Sequence, residues 1–146
     1  MKLFMDNDCG VTPAWARMRE PVAKHGPCRV VYVDDDPDYA YLFKVSLERL
    51  GHQVLAFTDP GQALAALEES DAVIDAFITD FNMPGQSGVD LAIKACRRRP
   101  GLPRAVITNQ LEDAIAVAME AQILAMPKPA SPPEFDALLK RVLAAH

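Results

Sequence analysis

Short apolar runs alternate with helical stripes five times between Arg29 and the end of the chain, and this alternation constrains the fold more than any other feature. Val30-Val31-Tyr32-Val33 is β-branched and aromatic, and it stops at Asp34-Asp35-Asp36-Pro37, as a buried strand running into a turn does. Pro37 to Leu50 shows helical spacing, with Tyr39, Leu42, Phe43, Leu47 and Leu50 expected on one face and Gly51 placed to end the helix. Gln53 to Phe57 is the second expected strand. Thr58 or Asp59 is placed to cap a second helix from Pro60 to near Glu69. Ala72 to Thr79 reads as the third strand, followed by a loop with Pro84, Gly85 and Gly88 and a helix from Val89 to about Arg98. Arg104 to Thr108 and Leu111 to Glu120 form the fourth pair. Ile123 to Met126 and a helix opening at Pro132-Pro133 form the fifth, with Phe135, Leu138, Leu139, Val142 and Leu143 as its buried face.

Strand and helix in strict alternation, joined by short loops, give a parallel sheet covered by helices on both faces. Right-handed crossovers leave a doubly wound α/β sheet; a closed eight-unit barrel needs roughly 250 residues, against the 146 here. Residues 29–146 are read as one domain. Residues 1–28 are read as an extension, expected to be flexible, with three prolines, the lone Trp15 and at most a short helix from Ala14 to Lys24. Trp15 in a docking or capping role is the other reading.

Net charge is −5, which argues against a nucleic-acid-binding surface as a whole. Arg97-Arg98-Arg99 reads as a helix end favoured by the dipole, and no DNA contact is expected from it. No apolar run approaches the roughly 18 residues of a membrane span, and no secretory h-region opens the chain. Cys9, Cys28 and Cys96 are odd in number and without paired spacing, so neither a disulfide framework nor a zinc site is expected; a cytoplasmic location follows.

In open parallel sheets, ligands bind beyond the carboxyl ends of the strands. Strand one ends in Asp34-Asp35-Asp36, strand three at Asp80, strand four at Thr108, and strand five just before Lys128. With strand order 2-1-3-4-5, strands one and three are neighbours, and Asp35 meets Asp80 across a long sequence separation. Carboxylates gathered on one rim repel unless a cation joins them. Hard oxygen ligands select Mg²⁺, or Mn²⁺ in its place, and no histidine lies near the rim to favour zinc. A carboxylate in such a site can attack phosphorus, with an ammonium (Lys128) and a hydroxyl (Thr108) on the other phosphoryl oxygens. Each residue alone has a plainer reading: turn or helix cap for the aspartates, backbone partner for Thr108, surface charge for Lys128. The conjunction on one rim is what points to chemistry.

These segments carry a resemblance. Val-Tyr-Val-Asp34-Asp35-Asp36-Pro37, Asp80-Phe-Asn-Met-Pro-Gly-Gln-Ser-Gly88, Pro103-Arg-Ala-Val-Ile-Thr108 and Lys128-Pro129 together resemble the receiver domains of bacterial two-component response regulators, over about residues 29–145. The resemblance implies a flavodoxin-like (βα)5 fold, like that of stand-alone chemotaxis regulators. It implies Asp80 as phosphoacceptor, Asp35 as a direct Mg²⁺ ligand and Asp34 acting through water. The Asn82 backbone carbonyl would complete the metal ligands, Lys128 would sit on a phosphoryl oxygen ahead of a cis Lys128–Pro129 bond, and Thr108 would be the switch hydroxyl. It further implies phosphate from a sensor histidine kinase or a histidine phosphotransfer protein, and a domain that catalyses its own phosphorylation and dephosphorylation without being a turnover enzyme. Asn82 and Gln110 would tune the phosphoryl lifetime, expected to be of ordinary receiver type.

Three positions depart from the family. Asn109 follows Thr108 where a small residue is usual, Ala125 stands where Tyr or Phe is common, and Pro127 precedes Lys128. Without a ring at 125, the usual pairing of hydroxyl and ring movements is missing. This motivates an alternative: a binding module that signals without phosphorylation. A phosphatase of the aspartyl-phosphate type is disfavoured by Asn82 in place of a second Asp. The chain ends at His146, directly after the fifth helix, so output is expected through contact with a downstream protein. Pairing of two copies through the face of the fourth and fifth helices is left open.

Overall fold

A computed structural model describes residues 26–69 and 72–145. The helix expected at Ala14 to Lys24, Trp15 and Cys9 lie outside the described residues. The main elements are β1 (Arg29–Val33), α1 (Pro37–Arg49), β2 (Gln53–Phe57), α2 (Pro60–Glu69), β3 (Ala76–Asp80), α3 (Gly88–Arg98), β4 (Arg104–Thr108), α4 (Leu111–Glu120), β5 (Leu124–Pro127) and α5 (Pro132–Ala144). The five strands form one parallel sheet in the order β2-β1-β3-β4-β5. This is the expected doubly wound α/β fold, with strands one and three side by side.

The apolar strands bury both faces because alternate side chains enter opposite layers. Val30, Tyr32, Ile78 and Ile107 pack with Phe43 and Leu47 of α1 and Phe135, Leu138, Leu139 and Val142 of α5. Val31, Val33 and Phe77 face α2 and α3 on the other side, through Ala63, Leu67, Leu91 and Ala95. Val106 faces that side too, beside Val89, Ala92 and Ala118. Cys28 is buried in the first of these cores, and its backbone N–H donates to His52 Nδ1 at 3.0 Å.

Several expectations are corrected. On α1 the buried stripe is Ala40, Phe43 and Leu47, with Tyr39 half-buried, while Leu42 and Leu50 are exposed. Leu42 lies about 100° around the helix from Phe43, and Leu50 is already the C-cap residue. β3 begins at Ala76 rather than Ala72, because β1 begins at Arg29 and gives earlier residues no strand to pair with. Asp75 closes that end: its carboxylate accepts from Arg29 N at 2.7 Å and its own N–H donates to Arg29 O at 2.8 Å. β5 is shifted by one residue, to Leu124–Pro127. The loop after β3 contains a small antiparallel hairpin, Asn82–Met83 against Gln86–Ser87, turning at Gly85 with φ +78°. No peptide bond is cis among the described residues, so Lys128–Pro129 is trans, the form an X–Pro bond prefers unless its surroundings favour the other.

The arginine run is more structural than its sequence suggests. Arg98 pairs with Glu68, and the Arg99 guanidinium donates to the carbonyls of Leu67 and Ala72, tying the end of α2 to the end of α3.

Candidate functional site

The three consecutive aspartates after β1 have three different fates. Asp34 is fully buried. Its Oδ2 accepts from Tyr32 Oη at 2.7 Å and from Lys128 Nζ at 3.0 Å, and its Oδ1 accepts from Asp36 N at 3.0 Å. Asp35 is exposed on the rim, and no hydrogen bond to its carboxylate is found among the described residues. Asp36 is the N-cap of α1, accepting from Asp38 N at 3.0 Å ahead of Pro37 in the first helical turn. The plainer reading, a helix cap, thus holds for one of the three.

Asp80 ends β3, beside β1 and β4, and is buried. Its Oδ1 lies 3.3 Å from Lys128 Nζ. Carboxylate oxygens of Asp34, Asp35 and Asp80 all lie within 4.8 Å of one another. One lysine therefore faces a cluster of three acids. Burial raises the Asp80 carboxyl above the usual carboxylate range, the Asp34 charge adds to this, and Lys128 only partly opposes it. Lys128 is itself desolvated, which favours its neutral form, but the hydrogen bonds and charges of Asp34 and Asp80 outweigh burial and raise it. Both partners of this ion pair shift upward, Asp80 chiefly through burial and Lys128 because the two acids outweigh its desolvation. The three carboxylates each offer an oxygen close enough to the others to share one cation.

Backbone close approach fixes where Asp80 sits. Gly88 opens α3 against the turn after β3, and a Cβ built on it would stand 2.1 Å from the Asp80 carbonyl oxygen and 2.9 Å from Phe81 Cα. Gly88 N donates to Phe81 O at 2.8 Å, and Phe81 N donates to Ile107 O at 2.9 Å. Only glycine permits this packing.

Thr108 is buried at the end of β4, and its Oγ1 accepts from Gln110 N at 2.9 Å, so its hydroxyl proton is free to donate elsewhere. Asn109, Gln110 and Asn82 are exposed on the same rim. Ala125 is half-buried in β5, opposite Val106. Pro127 ends β5, the edge strand, without breaking the ladder: Lys128 N donates to Thr108 O at 3.1 Å, so the missing donor at 127 belongs to the open side. Every site residue named from sequence thus lies at the C-terminal edge of the sheet except Ala125, which sits inside β5.

Residues 30–140 match the family model described as "Response regulator receiver domain". The chain belongs to this family. Among similar curated proteins, the virulence sensor protein BvgS of Bordetella pertussis is 40% identical over 94 residues, which is 63% of this chain and 7% of that protein. The transcriptional regulatory protein CpxR of Escherichia coli is 30% identical over 118 residues, 79% of this chain and 49% of that protein. The receiver domain thus corresponds to half or less of these relatives. Among solved structures, a CheY-like receiver domain protein from Methanospirillum hungatei superposes with TM-score 0.68 at 27% identity, over 81% of this chain and 94% of that one. Vibrio cholerae CheY4 has the same fold, with TM-score 0.71 at 21% identity, over 80% and 99% of the two chains. No helix among the described residues is long and apolar enough to cross a membrane.

Two residues of this receiver domain were not singled out from sequence. Tyr32 holds Asp34 through its hydroxyl, and burial, then the Asp34 charge, raises its pKa so that it stays a donor. Tyr39 places its ring 4.5 Å from Lys128 Nζ. The first was legible: residues two apart in a strand point the same way, so Tyr32 and Asp34 share a face. The second needed the packing of α1 against the loop after β5.

Proposed function

We propose that this receiver domain accepts a phosphoryl group on Asp80 from a histidine kinase or a histidine phosphotransfer protein, in a Mg²⁺-dependent reaction, and passes the signal on by contact with a downstream protein. The observation that supports this best is the buried Asp80 carboxylate held 3.3 Å from Lys128 within a three-carboxylate cluster.

The donor set is hard oxygen with no thiolate or imidazole, which fits Mg²⁺ and accepts Mn²⁺. Asp35 and Asp80 would hold the ion directly, with the Asn82 carbonyl. Asp34 already uses both lone pairs of Oδ2 and one of Oδ1, so a single lone pair is left, suited to a metal-bound water. Bound there, the ion would neutralise phosphoryl oxygens and relieve the crowding of acids.

In the reaction, a carboxylate oxygen of Asp80 bonds to phosphorus as the bond from phosphorus to the donor's imidazole nitrogen breaks, and the imidazole keeps the electron pair. Lys128 moves its hydrogen bonding toward a phosphoryl oxygen, and Thr108 donates its free hydroxyl proton to another. Hydrolysis reverses the gain: water attacks phosphorus, the bond to Asp80 breaks, the carboxylate returns, and inorganic phosphate leaves with the water oxygen while the water protons pass to phosphate or solvent. Asn82 and Gln110, polar and exposed on the rim, flank that water's approach and set the lifetime. The domain takes in Cys28, which is buried in its core and hydrogen-bonded to His52, so its start lies ahead of the boundary expected after residue 28.

The test is phosphate incorporation from acetyl phosphate with Mg²⁺, read by intact mass. Wild type should gain one phosphoryl group, and neither Asp80→Asn nor a Mg²⁺-free reaction should. A gain that persists in Asp80→Asn would overturn the assignment of the acceptor. No gain in wild type, from acetyl phosphate or from a phosphorylated phosphotransfer protein, would leave a binding module that signals without phosphate.

A further inference from the structure

Lys128 meets three groups. Its ammonium lies 3.0 Å from Asp34 Oδ2, 3.3 Å from Asp80 Oδ1 and 4.5 Å from the centroid of the Tyr39 ring. Its side chain is only 12% exposed, so the contact with the ring is largely desolvated, where such contacts are strongest. The ring is itself pinned: Tyr39 Oη donates to the Pro129 carbonyl at 2.6 Å, one residue past the lysine. Behind it, Tyr39 meets Tyr32 at 6.3 Å, Tyr32 stacks on Phe43 at 3.7 Å with planes 6° apart, and Phe43 meets the edge of Phe135 at 5.6 Å. An aromatic column thus runs from the core between α1 and α5 up to the ammonium. At 125, on the strand that leads to Lys128, there is no ring.

We propose that Tyr39 is a positioning residue for phosphoryl transfer: its ring holds the Lys128 ammonium on the carboxylate pair, and its hydroxyl ties the loop after β5 to α1. This rests on Asp80 being the acceptor. The ammonium is then pre-aligned beside the reacting carboxylate before a phosphoryl donor arrives, and its position is set from α1 rather than from residue 125. Removing the ring frees a four-carbon chain to leave the site, which costs rate without removing any group that touches phosphate.

The experiment measures the rate of phosphate gain from acetyl phosphate with Mg²⁺ in wild type, Tyr39→Phe, Tyr39→Leu, Lys128→Met and the double variant Tyr39→Leu/Lys128→Met. Urea midpoints establish that each is folded. Tyr39→Leu should be slower by roughly 2- to 30-fold, the range of a cation–π contact expressed as a rate. Tyr39→Phe, which keeps the ring, should recover most of that loss. In the Lys128→Met background Tyr39→Leu should cost nothing more, whereas a merely structural role would cost the same in both backgrounds. Selective ¹³C labelling of lysine gives a readout without phosphate: the Lys128 Cε protons should be shifted upfield by the ring in wild type and Tyr39→Phe, and not in Tyr39→Leu. Wild type that gains no phosphate, from acetyl phosphate or from a phosphorylated phosphotransfer protein, would remove the acceptor reading and this one with it. Wild type that gains phosphate, with Tyr39→Leu equally fast or its loss undiminished without Lys128, would overturn the role of Tyr39 alone.

Discussion

Replacing Gly88 with Ala tests whether backbone packing positions Asp80. The new Cβ would stand 2.1 Å from the Asp80 carbonyl oxygen, and real Cβ contacts essentially never fall below 3.0 Å, so one backbone must move by at least 0.9 Å (3.0 less 2.1). Neither side yields easily. Asp80 is the last residue of a strand paired on both sides, Phe81 N is bonded to Ile107 O, and Gly88 N is bonded to Phe81 O. Retreat of α3 stretches the last of these bonds and loosens Val89, Leu91 and Ala92, all buried. Overpacking costs about 1–3 kcal/mol and a lost backbone hydrogen bond about 1 more, so the fold should lose roughly 2–4 kcal/mol. At about 5 °C per kcal/mol for a domain of this size, Tm should fall by about 10–20 °C. The measurement is urea unfolding followed by far-UV circular dichroism, with the slope m compared between the two proteins. Under the phosphoacceptor reading, the misplaced Asp80 should also take phosphate from acetyl phosphate about 10- to 100-fold more slowly at a temperature where the variant is folded. A Gly88→Ala protein within about 0.5 kcal/mol of wild type, at unchanged m, would refute the reasoning about the close approach.

Two further predictions concern the opposite end of the sheet. Cys28 is buried, and desolvation, with Asp75 adding to it, pushes its thiol up to about 12. At pH 8 only about one thiol in ten thousand is then ionised, so iodoacetamide should modify half-buried Cys96 well before Cys28 in the native protein; equal rates read by peptide mass would contradict the burial. His52 is lowered by burial, with Asp136 and Asp75 opposing, and its Nδ1 must be unprotonated to accept the Cys28 N–H. The unfolded chain therefore binds the proton more readily, so the stability His52 contributes is present above its unfolded pKa near 6.5 and is lost as pH falls from there toward the lower folded value. Urea midpoints should drop between pH 7.5 and 5.5 by more in wild type than in His52→Gln; matching slopes would show that His52 is not the group responsible.

The architecture was legible because two periods coexist in the chain. Val30 to Val33 is apolar throughout, which a strand buried on both faces demands, and Phe135, Leu138, Leu139 and Val142 recur at helical spacing. Where expectation missed, the deciding information was non-local. Ala72 to Asp75 is as apolar as many strands, but no partner strand reaches it, since β1 starts at Arg29. Leu42 belongs to the helical pattern by hydrophobicity and lies off the buried stripe by angle, which only the contact of α1 with Phe135 and Leu138 decides.

The site divides in the same way. Asp34, Asp35, Asp80, Thr108 and Lys128 were legible because each ends a strand or follows its end within two residues, and parallel strands deliver their ends to one rim whatever their separation in sequence. What the strand ends do not specify is which of several equivalent-looking groups is held by what. Asp34, Asp35 and Asp36 are identical in composition, yet one accepts from Tyr32, Lys128 and a backbone N–H, one is open to solvent, and one caps a helix. That division follows from side-chain direction: Asp34 shares the inward face of Tyr32, and Asp36 stands where α1 begins and needs an acceptor for its first free N–H groups. Tyr39 is the limiting case, since it meets Lys128 across 89 positions of sequence and no local pattern distinguishes it from any other half-buried helix tyrosine. A site of this kind is therefore written in two parts: carboxylates, hydroxyl and ammonium placed by the sheet, readable one strand at a time, and the aromatic ring against the ammonium, readable only once α1 has packed against the loop after β5.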